Sequence, residues 1–143
     1  MKKLTSIFLS AAIIFTLIAG SFAAVQASEG STVKKKLIGK WICYQCVSDG
    51  KKSAPADYYG SVVRQTGAYI KFKDNKFNCN LGLKGFSGKY TVAKNGKITL
   101  KATKEWDGKG TYKKAKNYTV KIAKNYKKIA FKAFGAKNYF KKK

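Results

Sequence analysis

Beyond residue 36 the chain alternates apolar and polar positions in short runs: Trp41 and Cys43; Ile70 and Phe72; Phe77 and Cys79; Tyr90 and Val92; Ile98 and Leu100; Tyr118, Val120 and Ile122; Ile129 and Phe131. A period of two sends successive side chains to opposite faces of an extended chain, so each run predicts a strand with one buried face. Asp74-Asn75, Asn95-Gly96, Asp107-Gly108 and Lys124-Asn125 separate these runs. Such residues accept the backbone of tight hairpin turns, so the runs join as an antiparallel meander. The stretch from Ser48 to Gly60 breaks the alternation. It holds Asp49-Gly50, the only proline, Pro55, and Tyr58-Tyr59, and predicts a long loop or a short helix over one end of the sheet. Ala-Lys-Asn recurs at 93–95, 115–117, 123–125 and 136–138. The spacing is too irregular for a solenoid and reads as one hairpin solution reused within a single barrel.

The amino terminus follows a different pattern. Met1-Lys2-Lys3 precedes an apolar stretch from Ile7 to Ala19, and small residues follow as far as Ala27. This is the order of a secretory signal peptide, here 1–27, and the apolar part is short of the about 20 residues that span a bilayer. Residues 28–36 are polar and predict a flexible lead-in, which leaves 37–143 as one domain. The mature protein is expected to be secreted or extracellular, possible wall association included, with no transmembrane segment after processing.

Charge is the strongest compositional signal. The chain has 31 Lys and Arg against 6 Asp and Glu; only Lys2 and Lys3 fall in the leader, so the mature domain carries a net +23. A field of that sign draws anionic partners and repels itself. Arg64 is the sole arginine. Lysine acts as a hydrated point charge without the planar fork of a guanidinium, which favours diffuse attraction over specific readout. With apolar positions inward, Lys71, Lys73, Lys97, Lys101, Lys121, Lys128 and Lys132 face outward as candidates for polyanion binding.

Three cysteines in a chain bound for an oxidising compartment predict one disulfide and one free thiol. Cys43 and Cys79 share the inward phase of Trp41 and Phe77, which makes Cys43–Cys79 the expected bridge and Cys46 the odd thiol. Residues at i and i+3 of a regular strand face opposite ways, so Cys43-Tyr44-Gln45-Cys46 does not read as a metal or redox pair. No metal and no cofactor are expected. Histidine is absent, and Glu105 and Asp107, the one close acidic pair, read as part of a surface turn. A cysteine or serine nucleophile would have no imidazole base, so a non-enzymatic protein is expected.

At Leu37-Ile38-Gly39-Lys40-Trp41 a Gly-x-Trp opens the first strand of the meander. In this the chain resembles the lipocalin-like, or calycin, group of small β-barrels, including compact bacterial secreted versions. The resemblance implies an all-β, up-and-down antiparallel barrel, closed or nearly closed, with Gly39 and Trp41 at the closed end. Larger members place a late basic residue against that tryptophan, and lysines such as Lys137 or Lys141 stand in that region here. It also implies a small apolar ligand in the barrel or a partner protein inhibited by a loop. A barrel of about 100 residues is, however, readily filled by its own side chains, here Trp41, Phe72, Phe77, Tyr90, Leu100, Tyr118 and Phe131.

The leading expectation is a binding module whose lysine coat associates with acidic polymers or an anionic cell surface. Non-specific binding of extracellular nucleic acid is a variant of it, and a cationic antimicrobial or toxin is the third class.

Overall fold

The computed structural model describes residues 29–143, and the expected signal peptide lies outside them. Residues 29–37 form a helix, α1, where a flexible lead-in is expected from the polar sequence. The correction has a simple cause: Val33 and Leu37, four apart, lie on one helix face, and both are buried. Two apolar residues suffice once a barrel end is there to receive them.

The strands are β1 (Gly39–Ser48), β2 (Lys51–Ser53), β3 (Ala68–Lys73), β4 (Lys76–Leu81), β5 (Lys84–Val92), β6 (Ile98–Trp106), β7 (Thr111–Ile122), β8 (Lys128–Ala133) and β9 (Ala136–Lys142). Every pairing is antiparallel between chain neighbours, save that β1 pairs with β3 past the small β1–β2 hairpin. β1 also pairs with β9, which closes β1 and β3–β9 into an eight-stranded barrel. The all-β antiparallel barrel expected from the alternation is therefore the observed architecture. The predicted runs lie on β1 and β3–β8, with turns at Asp74-Asn75 and Lys124-Asn125 as the sequence places them.

Trp41, Phe72, Phe77, Tyr90, Leu100, Tyr118 and Phe131 all point into the barrel and are buried. Phe86 is their hub: its ring stacks on Tyr118 at 4.5 Å and meets Phe77 at 5.6 Å and Phe131 at 6.0 Å. Phe131 stacks in turn on Phe140 at 5.0 Å. These rings occupy the barrel interior.

Both ends are covered. At the end where β1 begins, Trp41 Nε1 donates to Leu37 O at 2.8 Å, tying α1 to the barrel. At the opposite end lie two short helices: α2 (Pro55–Tyr59), within the stretch from Ser48 to Gly60 predicted as loop or helix, and α3 (Val62–Thr66), just beyond it. Pro55 suits the first turn of α2 because its missing N–H would have no helical partner there. Val63 is buried, Tyr58 Oη donates to Phe134 O at 2.9 Å, and Tyr59 Oη donates to Asn138 Oδ1 at 2.7 Å.

Candidate functional site

The closed end centres on Trp41, which is fully buried at the start of β1. Gly39 precedes it with φ +119, a backbone state that side chains disfavour, and the Lys142 side chain crosses its open face. Lys142 Nζ stands 5.3 Å from the Trp41 ring and also donates to Lys36 O. The cation on the tryptophan is thus Lys142, not Lys137 or Lys141. Register decides it: Trp41 lies opposite Lys142 on β9, whereas Lys141 faces Ile42. Burial against this end, and then Lys36, push the Lys142 ammonium below its ordinary range.

The three cysteines are all buried thiols, so the expected Cys43–Cys79 disulfide is not formed. The closest sulfurs are those of Cys43 and Cys46, 4.0 Å apart, about twice a bonded S–S distance. A β-bulge explains how both face inward. Cys43 pairs with Phe140 and Gln45 with Tyr139, so Tyr44 is an extra residue that shifts the alternation by one. Cys46 Sγ donates to Asn138 Oδ1 at 3.4 Å, while Asn138 Nδ2 donates to Ala133 O and Ala136 O, both at 3.2 Å. Asn138, fully buried, is therefore satisfied on both sides. The hydrogen bond to Cys46 and then burial hold the Cys43 thiol well above its ordinary pKa, and burial does the same for Cys79. Cys46 differs: the hydrogen bond from Cys43 holds its thiol below the ordinary value, against the opposing effect of burial.

All seven outward lysines of the sequence reading are exposed: Lys71, Lys73, Lys97, Lys101, Lys121, Lys128 and Lys132. They do not gather in one patch. Lys71 and Lys73 lie on β3, Lys97 in the turn before β6, Lys101 on β6, Lys121 on β7, and Lys128 and Lys132 on β8. Strand register instead recruits two further lysines. Lys73 faces Lys76, Lys76 faces Lys89, and Lys89 faces Lys101, a transverse row over β3, β4, β5 and β6. With strands about 4.8 Å apart, the row spans about 14 Å.

Beside it lies an open groove of about 560 Å³ lined by Lys76, Lys89, Lys101, Lys104, Ser87 and Thr103, with no carboxylate in its wall. Bulges shape it: register shifts fall between Ser87 and Gly88 and again between Ala102 and Lys104. Gly88 is required here, since a Cβ would run into Lys101 O. No single apolar run singles out Lys76, Lys89 and Lys104; only pairing aligns lysines from different strands.

Glu105 and Asp107 are kept apart in role. Glu105, one residue before the end of β6, accepts from Lys114 Nζ at 3.2 Å, while Asp107 accepts from Lys109 N at 2.9 Å and Gly110 N at 3.3 Å as the anchor of the turn. Among the described residues no group of three or more metal-ligating side chains converges. None of the described helices is long and apolar enough to cross a membrane. Compared with known proteins, the chain matches no family model, no curated protein and no solved structure.

Proposed function

We propose that this is an exported, non-enzymatic, lipocalin-like binding module whose lysine-coated barrel holds it to acidic polymers or to the anionic cell envelope. The row Lys73–Lys76–Lys89–Lys101 carries the proposal. Directly paired positions stand about 5 Å apart at the backbone, inside the Debye length of about 8 Å at physiological ionic strength, so these four lysines repel each other when free. A polymer bearing regular negative charges relieves that repulsion, and the acid-free groove beside the row gives it a track. The filled interior does not favour the alternative of a small apolar ligand carried inside.

Heparin-column chromatography in a salt gradient tests the proposal. The protein should elute well above physiological salt, and the variant Lys76→Gln/Lys89→Gln/Lys101→Gln should elute distinctly earlier. Elution of the unaltered protein at or below physiological salt would rule the proposal out.

A further inference from the structure

β7 is the longest strand, and its two edges differ. Toward β6 it is paired from Thr111 to Val120. Toward β8 pairing is confined to Lys121 with Ala130 and Ile122 with Ile129. Among the described residues, 111–120 therefore present an edge without a strand partner, a row of N–H and C=O groups that can template another strand. The outer half projects beyond the barrel, since residues 111–117 are exposed on both faces before burial resumes at Tyr118.

The seam between β7 and β8 is also a trough. One part, about 430 Å³, runs along Tyr118, Thr119, Lys121 and Phe131; a second, about 510 Å³, continues past Phe134 to the β1–β2 turn. Lys116, Lys132 and Lys137 line both, and Asp49 is the one carboxylate in either wall. Lys116 Nζ lies 5.2 Å from the Tyr118 ring, at the point where the strands part.

We infer that the free edge of β7 is a docking site for an extended acidic peptide, added as a strand along residues 111–120 with its carboxylates toward Lys121, Lys132 and Lys137. Three observations select this occupant. The backbone edge matches another peptide backbone, which nucleic acids and polysaccharides lack. The trough is cationic, so the peptide must be acidic. A second copy of this chain is disfavoured, because β7 itself carries Lys113, Lys114, Lys116 and Lys121 and two such edges would oppose like charges.

The inference goes beyond the polyanion proposal, because charge alone would not distinguish a peptide backbone from any other anionic chain. Fluorescence anisotropy with a labelled eight-residue peptide of alternating glutamate and valine tests it, beside a fully N-methylated analogue with the same charges and no backbone donors. The parent peptide should bind at least about tenfold more tightly than the analogue. It should slow hydrogen exchange of the amides in 111–120, and Lys121→Glu/Lys132→Glu should weaken it by a similar factor. Equal binding of the two peptides, or protection confined to other strands, overturns the inference. Retention on heparin with no peptide binding overturns the inference alone; loss of both overturns it together with the polyanion proposal.

Discussion

Two faces of this barrel carry lysines of the same kind on frameworks of different kinds. Across β3–β6 every strand is laddered to its neighbours, and pairing fixes Lys73, Lys76, Lys89 and Lys101 in a row. Between β7 and β8 the ladder stops after two pairs, and Lys116, Lys121, Lys132 and Lys137 line an open seam. The first face offers charge at fixed spacing on strands paired along both edges, with the ladder interrupted only at bulges. The second offers charge and an unpaired backbone edge. Equal composition thus gives two different capacities, and register is the variable that separates them.

The largest effect should come from removing what joins the two faces. Phe86, on β5, meets Phe77 on β4 and both Tyr118 and Phe131 across the seam. Phe86→Ala should cost about 3–5 kcal/mol in urea unfolding, as for other buried aromatic truncations. A loss below about 1 kcal/mol would mean that the faces hold together without this hub.

A smaller effect, of opposite sign, is expected on the laddered face. Tyr90 Oη is buried without a hydrogen-bond partner, beneath a ring that meets Phe72 at 5.1 Å. An unsatisfied buried hydroxyl is costly, so Tyr90→Phe should stabilise the protein by about 1 kcal/mol in the same assay. Destabilisation would show that the hydroxyl is bonded in solution.

At neutral pH the smallest effect belongs to the seam, where a third contribution is silent until the pH rises. Burial first, then Glu105 and Cys79, push the Tyr118 hydroxyl up to about 12 from its ordinary 10. The neutral form is favoured in the folded protein, so the unfolded chain ionises first as pH rises. Stability from this group is intact below about pH 10 and is lost between about 10 and 12. Unfolding midpoints of the unaltered protein and Tyr118→Phe should therefore run parallel up to pH 10, with the unaltered protein falling more steeply above it. Parallel curves through pH 12 would place Tyr118 in contact with water at an open seam.

Much of the barrel was legible because alternation and turn chemistry are local. β9 was not picked out by its period, since fully buried Asn138 stands where the pattern would require an apolar residue. Its four polar contacts, from Tyr59, Cys46, Ala133 and Ala136, come from distant or turn segments and make that burial tolerable. The cysteine phase failed for a related reason. One extra residue at Tyr44 turns Cys46 inward, and nothing in Cys43-Tyr44-Gln45-Cys46 announces a bulge. Neither α1 nor the choice of Lys142 over Lys141 against Trp41 could be read locally, because each depends on what the barrel end presents.

By itself the sequence determined an antiparallel barrel of alternating strands, an aromatic interior and an outward coat of lysine, because a period of two and a hairpin turn are properties of neighbouring residues. Tertiary structure alone decided which lysines stand side by side, which thiols meet and where the barrel stays unpaired. Those outcomes depend on register between strands far apart in the chain, and a single bulge is enough to change them.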